Sequence, residues 1–188
     1  MGFTYYHLSE PDVRQTMVDA WQAEWDDLAA NWPRGKCYGK QLTDDGWKVF
    51  KKAMPEALAR QDDDWLLQEM RLDRFWVPTL ARRTKSGTTM VKYSKLDALE
   101  KLVSGEFNIA YIHGLAQALI ARGQANCTVY RADQAYLPRG ECSTWEGRQF
   151  ALADVIAGHR VRYHPPPGQR QAWSVPSGPN CHHSIRAS

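Results

Sequence analysis

No run of apolar residues in this 188-residue chain approaches the roughly 18 needed to cross a bilayer as a helix, so no membrane span is expected. The stretch Met1 to Glu10 lacks a basic region followed by an apolar core, so no secretory signal is expected and the protein reads as made and folded in the cytoplasm. Gly-x-Ser-x-Gly and His-Glu-x-x-His are both missing, as are a P-loop and a dinucleotide glycine fingerprint. Neither half of the zinc-deaminase pattern, His-x-Glu or Pro-Cys-x-x-Cys, occurs. Cysteine is scarce, with only Cys37, Cys127, Cys142 and Cys181, and no two form a Cys-x-x-Cys pair. These gaps remove the commonest motif-bearing enzyme classes and leave turns, cysteines and histidines to carry any chemistry.

What is present is ordinary globular material: 43% hydrophobic and 24% charged residues, enough for one domain or a domain with an appended subdomain. The net charge is +3. Residues 1–94 balance at 14 basic and 14 acidic side chains, so the excess sits in the second half, where every basic residue after Lys101 is arginine. A specific nucleic-acid partner normally shows a denser footprint and is not expected.

Hydrophobic periodicity divides the chain. Ser9 stands two residues before Pro11, and Val13, Met17, Ala20, Trp21, Trp25 and Leu28 recur at helical spacing, predicting a helix that ends near Asn31-Trp32-Pro33. Thr43 caps a second helix in which Pro55 is expected to kink or break the chain. Asp62, Asp63 and Asp64 open a third, where capping explains the acidic run better than a metal site does, with Trp65, Leu66, Met70 and Leu72 as its apolar face. Six of the eight tryptophans precede residue 77, as core filling or, alternatively, as a docking face. Pro78 to Gly87 reads as an irregular basic boundary and Thr88 to Tyr93 as β-rich. Ser94 caps a long, all-round apolar helix from Lys95 to Arg122, stopped by Gly123, that Ser104-Gly105 can divide. Glu106, Asn108 and His113 lie along it, and the lone histidine reads as structural. Cys127 to Arg131 reads as a strand with Cys127 buried, Ala151 to Ala157 as a short helix or turn, and His159 to Tyr163 as a strand. The fold class expected is α+β: a tryptophan-rich helical region at 1–86, then an α+β region at 87–188 with a long central helix and a small, loop-rich C-terminal unit.

The last third gathers the candidate chemistry. Cys142 lies in Cys-Ser-Thr-Trp-Glu-Gly-Arg, and Cys181, His182 and His183 follow a Gly-Pro-Asn turn. If residues 181–183 are extended, Cys181 and His183 point to one side and His182 to the other. Cys142, Cys181 and His183, with His164 or His159 as a fourth, are therefore candidate ligands for zinc, which takes cysteine sulfur and histidine nitrogen in a tetrahedron. A disulfide between Cys142 and Cys181 and simple packing are the alternatives. A thiolate–imidazole pair of Cys142 with His159, His164 or His183 is a further alternative, and the enzymatic rival draws on Cys142, Glu146 or His183.

Residues 142–152, with the pattern Cys-x-x-Trp-x-Gly-x-x-x-x-Leu, and the later Gly-Pro-Asn-Cys-His-His-Ser-Ile at 178–185 resemble the C-terminal region of MuF-like phage minor capsid proteins. The resemblance covers roughly 87–186. His182 stands where the family has arginine, the tryptophan-rich half does not resemble the family, and the chain is shorter than typical members. The resemblance implies a structural minor component of a tailed-phage head, sited in the virion, with capsid or portal proteins as partners and no established catalysis. A small effector or toxin-like enzyme with a Cys/His site, or a zinc-stapled binding module, is the alternative.

Overall fold

The Lys95–Ala121 helix is the element on which the others are laid. In the computed structural model, which describes residues 3–31, 41–133, 142–158, 175 and 181–188, the order is α1 (Pro11–Asn31), α2 (Asp44–Arg60), α3 (Asp63–Glu69), β1 (Leu80–Thr84), β2 (Gly87–Val91), α4 (Lys95–Ala121), β3 (Asn126–Arg131), β4 (Gln149–Ala151), α5 (Leu152–Ala157) and β5 (His183–Ala187). The architecture is α+β, as the sequence implies. β1 and β2 form a separate antiparallel hairpin, and β4-β3-β5 form a three-stranded antiparallel sheet with β3 in the middle.

Local sequence explains several helix ends. The Thr43 hydroxyl accepts from Gly46 N–H at 3.1 Å, Asp62 Oδ1 from Trp65 N–H at 2.8 Å, and Ser94 Oγ from Asp97 N–H at 3.2 Å. Each satisfies an amide that the first helical turn would otherwise leave unpaired. The three aspartates diverge: Asp62 caps, Asp64 is exposed, and Asp63 is buried. At the far end of α4, Gly123 takes φ 78°, the left-handed conformation that ends helices.

Buried α4 side chains, among them Phe107, Tyr111, Leu115 and Leu119, meet Val13, Met17 and Trp21 of α1, Phe50, Met54 and Leu58 of α2, and Val129 and Ile185 of the sheet. This one cluster draws on both 1–86 and 87–188. Trp21, Trp47 and Trp76 are buried within it, and Trp25 packs on it with its ring 5.1 Å from Trp21 and 5.7 Å from Trp47. For these rings core filling prevails; Trp32 lies outside the described residues. Leu119→Ala and Leu115→Ala should each cost about 3 kcal/mol by chemical denaturation, since both side chains are fully buried. A loss below about 0.5 kcal/mol at both would put this helix at the surface.

Four expectations are corrected. Pro55 neither breaks nor ends α2, because Ala53, Met54, Ala57 and Leu58 on both sides of it are buried and hold the helix together. Ser104-Gly105 does not divide α4, which is continuous. Leu72 is 52% exposed, since α3 ends at Glu69 and the chain turns before reaching it. Leu80–Thr84, inside the stretch read as irregular, is a strand paired with Gly87–Val91. The strand expected at His159 to Tyr163 lies outside the described residues.

Candidate functional site

The site forms where β5 returns to the end of β3. Cys127, at the start of β3, is fully buried with Sγ 3.7 Å from the Phe150 carbonyl, a packing role. Further along, apolar Val129 pairs with Ile185, and Arg131 pairs with His183. Between β3 and β4, Gly147 at φ 77° lets the chain fold back, and its N–H donates to Val129 O at 2.9 Å. That return places Glu146 beside Arg131. The terminal segment, expected to be loop-like, is an edge strand, because Ser184 and Ile185 are buried and Asn108 Nδ2 of α4 donates to His183 O at 2.8 Å.

Extended geometry at 181–183 divides the side chains as the twofold period requires. His183 is 5% exposed. Its Nδ1 lies 3.5 Å from Cys181 Sγ, and its Nε2 lies 3.3 Å from Glu146 Oε1. The Arg131 guanidinium pairs with the same carboxylate oxygen. His182 goes the other way, stacking on Phe3 at 5.9 Å and approaching Asp133 with Nδ1 at 3.5 Å. Contact with Cys181 raises the His183 pKa most; burial pulls it down, and Glu146 adds a smaller upward effect. An ionised Glu146 only accepts, so Nε2–H donates and Nδ1 is left to face the sulfur.

Two chemistries share this geometry. A sulfur and a ring nitrogen bound to one tetrahedral zinc at about 2.3 and 2.0–2.1 Å lie about 3.5 Å apart. The Cys181–His183 separation matches that, and a carboxylate on the outer ring nitrogen is the usual second partner of a metal-bound histidine. The same line of thiol, imidazole and carboxylate can also pass a proton. Among the described residues, no group of three or more His, Cys, Asp or Glu is disposed to hold a metal. The other expected ligands are not among those side chains: Cys142 contributes backbone to a 3₁₀ turn at Cys142–Thr144, and His164 and His159 lie outside the described residues.

Sequence reasoning missed the role of Arg131, whose only signal was a cation closing an apolar strand. It also missed the N-terminal arm. Thr4 N–H donates to Ala132 O at 2.8 Å, and Tyr130 Oη donates to Thr4 O at 2.5 Å. Ala187 N–H donates to His7 Nε2 at 3.2 Å, which puts the ring proton on Nδ1, facing Glu10 Oε1 at 2.6 Å. Glu10 and Asp12 both pair with Arg122 at the end of α4, at 2.6 and 2.5 Å. Compared with protein-family models, with curated proteins and with solved structures, the chain finds no match in any of the three.

Proposed function

We propose that this chain is a structural minor component of a tailed-phage head or phage-like particle, acting through contacts with capsid or portal proteins, its C-terminal Cys/His cluster serving as a zinc staple. The observation that supports this reading is how the Cys-His-His segment is used. Cys181 and His183 reach Glu146 and Arg131, His182 reaches Phe3 and Asp133, and the His183 carbonyl is held by Asn108. The part of the chain that carries the family resemblance is thereby spent on fastening its own fold. Cys181 and His183 would supply two zinc ligands, with Cys142 and His164 proposed for the others. Bound metal would replace the entropy that ordering these segments costs.

Particles purified from cells expressing the chain should contain it at a fixed, low ratio to the main shell protein; its absence from that fraction overturns the particle assignment. Protein prepared without chelator should carry about one zinc per chain. Cys181→Ser should then lower the melting temperature by about 5 °C or more, and Cys37→Ser much less. Glu146→Gln should weaken zinc binding by about 10- to 100-fold.

The thiol–imidazole–carboxylate line also favours a second reading, a thiol-dependent enzyme. Metal-free protein in which Cys181 is alkylated by iodoacetamide far faster than an ordinary thiol, with the excess rate lost in His183→Gln, would select it over the staple.

A further inference from the structure

Residues 80–92 hold Arg82, Arg83, Lys85 and Lys92 and no acidic residue. The whole chain is only +3, so everything outside this segment is net negative by one charge. Counting by half-chain hides this, since acidic residues elsewhere in 1–94 cancel it. The structure turns the segment into a β-ribbon. β1 and β2 pair in register from Leu80↔Val91 to Thr84↔Gly87, with Lys85 and Ser86 at the tip. The root is fixed: Leu80 and Val91 are half-buried, and Tyr93 Oη donates to Val77 O at 2.6 Å. Every residue from Ala81 to Met90 is exposed, and among the described residues neither outer edge is paired. A lone two-stranded hairpin with no buried face is marginal in water and is not maintained by packing.

Its charges are disposed around it. Alternation puts Arg82 on one face and Arg83 on the other, with Lys85 at the tip and Lys92 beyond the end of β2. Thr89 lies across from Arg82 and Thr88 across from Arg83, giving each face an exposed hydroxyl beside its guanidinium. A flat acidic protein surface would use cations from one face only. Cations on both faces and the tip suit a ribbon with negative walls on both sides. B-form DNA offers this arrangement: its major groove, about 12 Å wide, admits a two-stranded ribbon between two phosphate backbones. Arginine, lysine and threonine are the side chains that commonly bind those phosphates. The deep, narrow major groove of duplex RNA does not admit side chains in the same way.

We infer that the β1–β2 hairpin is a sequence-independent binding element for duplex DNA, seated by phosphate contacts from Arg82, Arg83, Lys85 and Lys92. The inference rests on the charge pattern and stands whether or not the chain belongs to a particle. It agrees with the lack of any expected sequence-specific nucleic-acid role, because phosphate contacts carry no base information.

Fluorescence anisotropy of a labelled 20-base-pair DNA of arbitrary sequence, titrated with the full chain, tests it. Four phosphate contacts give a slope of log affinity against log salt of about −3.6, so affinity should fall roughly 100-fold between 50 and 200 mM salt. An unrelated duplex of equal length should bind equally. Arg82→Gln, Arg83→Gln, Lys85→Gln and Lys92→Gln together should weaken binding more than tenfold and bring the slope near zero, with the melting temperature held. If the fourfold variant loses stability, the pair Arg83→Gln and Lys85→Gln should still halve the slope. No binding at 50 mM salt, or unchanged affinity and slope in the variants, overturns the inference. Poly-glutamate competing as well as DNA at equal charge also overturns it, and would assign the hairpin to an acidic protein partner.

Discussion

Gly114→Ala is expected to cost on the order of 3–5 kcal/mol and to lower the melting temperature by roughly 10 °C or more. A Cβ at this position would fall 2.5 Å from Met17 N and 2.6 Å from Met17 Cα, so the obstacle is the backbone of α1 and not a side chain that can turn away. α1 and α4 form the most extensive interhelical contact in the fold, and here they meet almost backbone to backbone. Thr16 Oγ1 of α1 lies 2.9 Å from Gly114 O, one of three carbonyls, with Asp12 O and Val13 O, that its single proton can serve, and only this short separation brings Gly114 O within reach. Inserting a methyl group must push the helices apart along a seam that includes Val13, Met17, Trp21, Leu115 and Leu119. The same substitution nine residues earlier should have the opposite sign. Nothing lies within 4 Å of a Cβ at Gly105, so Gly105→Ala should gain about 0.5–1 kcal/mol by reducing backbone freedom in the unfolded chain. Urea denaturation of the two variants is a matched pair on one helix. A Gly114→Ala loss under about 1 kcal/mol would mean that α1 and α4 do not approach as described.

The contrast between the two glycines illustrates what could be read in advance. Caps at Thr43, Asp62 and Ser94 were legible because a cap is a bond between residues three apart, and the sequence prints both partners. The meeting of Cys181 with His183 followed from the two-residue period of extended backbone. Gly105 and Gly114, by contrast, look alike in a helical pattern; only the partner helix, some hundred residues away, makes one indispensable. That Pro55 leaves α2 unbroken was not legible, because the anchoring of both halves of α2 is tertiary. Leu80–Thr84 was missed because a strand with four exposed positions has no apolar alternation to betray it. The fastening of Thr4 and His7 to Ala132 and Ala187 has no local signal, since the partners lie far apart in the sequence. At the candidate site the same rule holds: Cys181 and His183 are local, whereas the addition of Glu146 and Arg131 depends on how the β3–β4 return folds.

Stability should fall as pH rises from about 4 to 8, and two buried carboxyls set this slope. Burial pushes Glu106 up to about 8. Asp63 reaches about 7, mainly through burial with added repulsion from Asp64 and Asp62, while a Ser104 hydrogen bond pulls it partly back. In the unfolded chain both ionise near the ordinary carboxylate range of about 4. Between those limits the folded state holds protons that the unfolded state has released, so their stabilising contribution is complete below about pH 4 and lost as pH climbs through 7 and 8. Each group contributes on the order of 1 kcal/mol per pH unit inside that window. In the metal-free chain His183 adds to the trend at its upper end: its raised pKa means that its contribution is present below its ordinary value and lost above the folded one. Glu10 opposes it at the acid end. His7, then Arg122, lowers its pKa, so what it contributes is lost only as pH falls below the ordinary carboxylate range. The stability maximum should therefore lie near pH 4–5. Glu106→Gln and Asp63→Asn keep the shapes of the side chains and remove the protons. Each should flatten the pH dependence, leaving stability close to wild type at pH 5 and above wild type at pH 8, and the double variant should remove most of the slope. Thermal melts at the two pH values decide the matter, and a wild-type chain melting at the same temperature in both would require these carboxyls to be ionised within the fold.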